Sequence, residues 1–282
     1  MTGLGYISLP RLDVVVADSL EQAVRTIDRE PDRAVIAGGT YTIASIVEGV
    51  NKTRKLLDVS ELKPLRFVRN DSSRVEVGAL TTHAEVAEAL GEVIPSFKSF
   101  LKCYSSPTVM NRATVGGSVM LRNSSEDLIT ILLTLDAELV FRTVRGEESM
   151  KLQDFLDQNI SQRALLTKVV FRSRRTCFFD KLWLGVSRIP IISVAVSFDG
   201  DGHLEPKVAV SHKSRDKPGR VHSVERFLQG RLLDRPTCTK AAEMVSQSID
   251  PPDDVIAPAW YRREVAGVLI RRILERVASH ED

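Results

Sequence analysis

Cysteine is scarce: Cys103, Cys177 and Cys238 are the only three, far apart and never in a CxxC pair. A scattered odd set spells neither a disulfide framework nor a zinc or iron–sulfur ligand set, and a reducing, cytoplasmic setting is the expectation. An excess of one charge is lacking too. The 39 basic and 37 acidic residues leave a formal charge of +2, which argues against a dedicated grip on nucleic acid or on an anionic membrane. No run approaches the roughly 18 apolar residues of a membrane span. The opening "MTGLGYISLPRLDVVVADS" has no basic region followed by a long apolar block, so no export signal is expected. The five histidines show no HxxxH spacing and no serine stands in GxSxG, which argues against a zinc site, a non-haem iron site and a serine hydrolase. What remains is a globular chain of 282 residues, 43% hydrophobic, long enough for two domains or one large one.

The periodicities alternate at first. Leu20, Ala23, Val24 and Ile27 recur at helical spacing behind Ser19 and Gln22, predicting a capped helix over about 20–29. "AVIA", "KLLDVS" and "VEVGAL" read as short buried strands. Thr82 and Glu85 form a second capping box, opening a helix that runs through Leu90 and stops at Gly91. "LITILLTL" at 128–135 is apolar nearly all round, as in an enclosed helix, and leads into the strand "ELVFRTV". From about 165 the pattern shifts to the strands "LLTKVVF", "IISVAVSF" and "KVAVSH", with "DGDG" at 199–202 as a hairpin turn. Helices follow near 223–229, 238–249 and 259–278. Runs of strands followed by runs of helices predict an α+β architecture.

Two loops carry adjacent glycines: Gly38-Gly39 after the strand "AVIA", and Gly116-Gly117 within "SSPTVMNRATVGGSVM". Without a β-carbon, successive residues can turn their N–H groups toward one point and hold an anion. Neither loop ends in the GK[ST] of a P-loop or spells the GxGxxG of a dinucleotide-binding turn. A plain tight connection from strand to helix is the other reading of each pair. The basic residues Arg172, Arg174 and Arg175 and the run "SHKSRDKPGR" at 211–220 are read either as a surface for an acidic partner or nicotinamide phosphate, or as solvated loops.

The company of the glycine pairs distinguishes them. "AGGT" at 37–40, "LLDVSELKPLRFV" at 56–68, "VEVGALTTH" at 75–83, "NRATVGGSVM" at 111–120, "EDLITILLTLDAELVF" at 126–141, "FFDKLWLGVSRIPIISVAVSF" at 178–198 and "YRREVAGVLIRRILERV" at 261–277 follow one another in order. With these motifs the chain resembles the FAD-binding medium subunit of molybdenum hydroxylases, the group containing xanthine dehydrogenase and carbon monoxide dehydrogenase. The resemblance implies an α+β fold. Residues 1–172 would form a two-subdomain FAD-binding region of the vanillyl-alcohol-oxidase-like type (about 1–60 and 61–172), and 173–282 a smaller C-terminal domain with an antiparallel sheet and helices.

By the same resemblance, Ala37, Gly38, Gly39, Thr40, Tyr41 and Thr42, together with Thr114, Gly116, Gly117 and Ser118, would wrap the FAD pyrophosphate. Asp127 would meet the adenosine part, or else be an N-terminal charge on its helix. Thr81 would lie beside the flavin, and Lys181 near its ring unless it is an exposed lysine on a strand edge. No catalytic residue and no metal ligand is assigned. Tyr41 in place of a small polar residue, Ser118 in place of asparagine, the missing proline in "LRNSSEDL" and the shortened "SRIPIIS" mark a divergent branch. The implied role is FAD-mediated electron transfer to NAD or another acceptor, from a molybdenum-cofactor large subunit through an iron–sulfur small subunit. The alternative is a scaffold subunit of the same complex that has lost FAD.

Overall fold

The computed structural model describes residues 10–123, 126–158, 163–185, 189–200, 204–212 and 218–279. The chain opens with β1 (Asp13–Val16), α1 (Leu20–Arg29), β2 (Ala34–Ile36), α2 (Thr42–Val47) and β3 (Lys55–Asp58). The three strands form a parallel sheet in the order β1-β3-β2. Ser19 Oγ accepts from the Gln22 amide at 3.2 Å, but Gln22 Oε1 reaches back to the amide of Asp18 (2.7 Å), so the predicted box forms one residue displaced. Ala23, Val24 and Ile27 of α1 pack with Leu57 and Val59 in a small core. Parallel strands need crossovers, so residues 37–41 are obliged to lift the chain off the end of β2 and into α2.

A second lobe follows: β4 (Val68–Asn70), β5 (Arg74–Gly78), α3 (His83–Leu90), α4 (Pro95–Tyr104), α5 (Pro107–Met110), α6 (Val115–Leu121), α7 (Asp127–Thr134), β6 (Glu138–Thr143), β7 (Gly146–Lys151), α8 (Leu152–Asp157) and β8 (Leu165–Arg172). Its strands form an antiparallel sheet in the order β4-β5-β8-β6-β7. All eight residues of α7 are buried, as its all-round apolar sequence requires. Leu80 and Leu165 reach out of this lobe into the core of the first.

The third group is β9 (Arg175–Leu184), β10 (Ile189–Asp199), β11 (Leu204–His212), β12 (Gly219–Arg220), α9 (His222–Leu228), α10 (Arg235–Ser248) and α11 (Ala259–Ala278). Its antiparallel sheet, β12-β11-β10-β9, is covered on both faces. Ile192, Val194, Val196 and Phe198 of β10 point with Val208 and Val210 into the core made with α9–α11. Ala195, Cys177, Phe179 and Ala209 join the core of the second lobe. The period-two pattern of strands accounts for both faces.

Several expectations are corrected. The strand-rich pattern begins at "LLTKVVF", but the C-terminal sheet begins one strand later: as β8, "LLTKVVF" pairs with β5 and β6 in the second lobe's sheet, on the near side of the boundary expected at 172. β1, β4, α4, α5, α6, β7, α8 and β12 go beyond the expected elements, and the stretch 105–120, expected as a loop, contains α5 and most of α6, so that Gly116 and Gly117 lie in the first turn of a helix. The "DGDG" turn and "SRIPIIS" lie partly outside the described residues, although Asp199 of β10 pairs with Leu204 of β11 across that turn. Arg175 is neither a solvated nor a partner-facing cation. It is 1% exposed, donating to Ser197 Oγ (3.2 Å) and to the Glu205 carbonyl (2.6 Å).

Candidate functional site

Both glycine loops line one cleft of about 580 Å³ between the first and second lobes, within the range of roughly 300–1,000 Å³ usual for small-molecule sites. Gly38 brings them together. A β-carbon there would overlap the carbonyl oxygen of Arg112, a backbone group with little room to retreat, and the Arg112 guanidinium donates to the Gly38 carbonyl at 3.3 Å. Gly39 sits at φ +72°, in the left-handed region that glycine takes without strain. Among the described residues, the amides of Gly38, Gly39, Thr40 and Tyr41 donate to no protein acceptor. Four consecutive unengaged donors beside a cleft form a cradle suited to phosphate oxygens.

The second loop differs from the expected nest. Val115 N–H donates to the Thr81 carbonyl (2.9 Å), Gly116 N–H to the Ala79 carbonyl (2.8 Å), Gly117 N–H to Thr114 Oγ1 (3.1 Å) and Ser118 N–H to the Thr114 carbonyl (3.0 Å). Those amides are committed to starting α6 and tying it to the end of β5. Gly116 serves close packing, because a β-carbon there would sit 2.8 Å from both Cβ and the carbonyl oxygen of Ala79. Gly117 has open space toward the cleft; a β-carbon would approach only Thr114 Oγ1, at 3.0 Å. The second loop therefore offers a smooth wall and hydroxyl groups where a ring of amides was expected.

Three assigned residues stand behind the wall. Thr81 is buried and both accepts from the Phe67 amide (3.0 Å) and donates to the Phe67 carbonyl (2.8 Å). Lys181 is no exposed edge lysine: it is 5% exposed, and its ammonium lies 2.5 Å from Oδ2 of the fully buried Asp127. Burial pushes the Asp127 carboxyl up, and the Lys181 charge and hydrogen bond pull it back part of the way. None of the three is among the residues lining the cleft.

The wall also holds side chains that sequence reasoning missed. Glu126 and Tyr104 both line the cleft, and the Tyr104 hydroxyl donates to Glu126 Oε2 at 3.2 Å. Ser118 Oγ lies 3.0 Å from Nε2 of His83, whose ring packs edge-on against Tyr104 and Phe100. Burial lowers His83 to about 4, keeping the imidazole neutral, and raises the Tyr104 hydroxyl well above its ordinary range. Glu126 is pushed up to about 7, chiefly by burial and further by the charge of Asp127, against the opposing effect of the Ser118 and Tyr104 hydroxyls. The signal in the sequence was the doublet Glu126-Asp127, of which only the second member was weighed. Among the described residues no group of three or more His, Cys, Asp or Glu is placed to hold a metal ion, and no helix is long and apolar enough to cross a membrane.

A run of unengaged amides in a cleft at the seam of a parallel lobe and an antiparallel lobe defines an α+β protein with a site suited to a phosphate-bearing small molecule. The family model for the FAD binding domain in molybdopterin dehydrogenase matches residues 10–171, and that for the CO dehydrogenase flavoprotein C-terminal domain matches residues 188–277; the chain belongs to the FAD-binding medium subunits of the molybdenum hydroxylase family. It is 25% identical over 278 residues to the glyceraldehyde dehydrogenase medium chain of Sulfolobus acidocaldarius, covering 95% of this chain and 99% of that one. It is 23% identical over 259 residues to the carbon monoxide dehydrogenase medium chain of Afipia carboxidovorans, covering 88% and 90%. Its fold matches a chain of reconstituted CO dehydrogenase from Oligotropha carboxidovorans with a TM-score of 0.88 at 21% identity, over 96% of this chain and 99% of the other. It also matches a chain of quinoline 2-oxidoreductase from Pseudomonas putida with a TM-score of 0.87 at 19% identity, over 97% and 99%.

Proposed function

We propose that this chain holds FAD in the cleft between its first two lobes and works as the electron-transfer subunit of a multi-subunit molybdenum hydroxylase. Electrons would arrive from a molybdenum-bearing large subunit through an iron–sulfur small subunit and leave to NAD or another acceptor. The observation that carries this reading is the run of unengaged amides from Gly38 to Tyr41, in residues that line a cleft together with the second glycine pair. In a family defined by FAD binding, that cradle suits the pyrophosphate.

The chain's own residues would bind, position and exclude water. Ala37 to Thr42 offer main-chain donors, with the hydroxyls of Thr40 and Thr42 beside them. Thr114 and Ser118 add hydroxyls from the facing wall, and Gly117 leaves room for a flat group to lie against the backbone. Arg112, anchored to the Gly38 carbonyl, supplies a cation next to the cradle. Thr81, Asp127 and Lys181 act at one remove, by fixing the strand ends and α7 behind the wall. A bound flavin supplies the conversion between one-electron and two-electron transfer, chemistry that requires no acid–base pair of the protein.

The test is the visible spectrum of the purified chain, with mass determination of any cofactor released by heat. Bound FAD is the expected result. Gly38→Ala, which drives a β-carbon into the Arg112 carbonyl, is expected to lose most of that FAD and to weaken rebinding by tenfold or more, on the order of 1.4 kcal/mol or greater. A colourless wild-type chain that free FAD cannot reconstitute would replace this reading with that of a scaffold subunit.

A further inference from the structure

Among the described residues, Glu126 is an acidic group of the cleft with no cationic partner. Its carboxyl lies on the same wall as Ser118 and Gly117. The groups that face it come from four directions. From α4 the Tyr104 hydroxyl donates to it at 3.2 Å. From α6 comes Ser118, whose hydroxyl is shared with the neutral His83 of α3. From α7 the neighbour Asp127 adds a second acidic group, and from β9 the ammonium of Lys181 is already bound to Asp127 at 2.5 Å. Arg122, at the end of α6, turns elsewhere: it lies 4.0 Å from the centre of the Phe155 ring and donates to the carbonyls of Phe155 and Gln158. Among the described residues no cation stands within ion-pair distance of Glu126.

We propose that Glu126 is a cofactor-contact residue that receives FAD with its carboxyl protonated, so that this chain's affinity for the dinucleotide falls as the carboxylate forms. The proposal rests on the reading of the cleft as an FAD site. The ligand brings two phosphate charges into a cleft that already holds an unpaired acidic group, and its arrival removes the water that would screen one from the other. A protonated carboxyl avoids that repulsion. It also gains an O–H that can donate to a ligand oxygen or ring nitrogen, which a carboxylate cannot do.

The sign of the effect follows from linkage. Burial has brought the free-site carboxyl to about 7, and added negative charge raises it further in the complex. A group whose bound-state pKa lies above its free-state value favours binding fully below the free value, and that advantage is lost as pH rises toward the bound value. The affinity is therefore steady at pH 6 and declines through the range above 7.

The experiment is FAD titration of the flavin-stripped full chain, followed by flavin fluorescence from pH 6 to 8.5 at constant ionic strength, for wild type and Glu126→Gln. The wild-type Kd is expected to rise about fivefold or more across that range. Glu126→Gln, the same size and unable to ionise, is expected to bind with a Kd nearly independent of pH. Calorimetry of wild type at pH 7.5, in two buffers of different ionisation enthalpy, should register proton uptake on binding, and this does not depend on the variant folding. A pH-independent wild-type Kd, an equal slope in the variant or no proton uptake would overturn the role of Glu126 while leaving the FAD site intact. Failure of wild type to bind FAD at pH 6 would remove the FAD reading and this inference with it.

Discussion

Lys181 shows how a residue's role is set by its partner. Asp127 precedes it by 54 positions, and the two meet only because β9 is laid against α7, an arrangement that no local pattern encodes. Replacing one member of a buried ion pair strands the other, whereas replacing both with apolar groups of similar volume can be neutral. Lys181→Met is thus expected to cost about 3–5 kcal/mol in urea unfolding, and Asp127→Leu combined with Lys181→Met to recover most of that loss. If the double variant is no better than the single, the Lys181 stem matters through packing, and the stranded charge is not the cause. The glycine pairs were legible as special backbone because the absence of a side chain is visible in the sequence. Which amides remain free was not legible, since that depends on Ala79 and Thr81 accepting from the second loop.

Elements whose signals are local were read closely. The Thr82–Glu85 box is present in both directions, with Glu85 N–H donating to Thr82 Oγ1 at 3.3 Å and Thr82 N–H donating to Glu85 Oε2 at 2.9 Å. Glu85 is further held by Arg66 at 2.7 Å. Thr82→Ala is expected to cost about 1–2 kcal/mol, and Asp234→Ala at the start of α10 about 1 kcal/mol, by chemical denaturation. The larger loss belongs at Thr82, because its hydroxyl also donates to Glu85 Oε2 at 3.0 Å and the substitution removes that bond as well. α4 was missed for a comparable reason: Phe97, Phe100 and Cys103 are buried at helical spacing, yet Pro95 and the serines and lysines among them obscured the start of the helix. The sheet that β8 joins was not legible from its own residues, because a strand does not specify which neighbours its hydrogen bonds reach.

At the scale of the molecule, the C-terminal sheet is shared property. One face belongs to α9–α11 and the other completes the core around α7, so the last third of the chain supports the wall that carries Glu126. The fold class could be read from the order of strands and helices, but this sharing could not, because it needs two distant segments to supply the two halves of one core. The first lobe is joined more sparingly, through Leu80, Leu165 and the close approach of Gly38 to Arg112. That bare α-carbon makes the cleft a seam between separately built bodies. A guest gripped from both sides must be let go before the bodies can part, so amide exchange in β1–β3 is expected to slow by tenfold or more on loading with FAD, and to be unchanged if the lobes never separate. Retention of the flavin and cohesion of the amino-terminal lobe are then a single property, and a substitution that loosens one would be registered in the other.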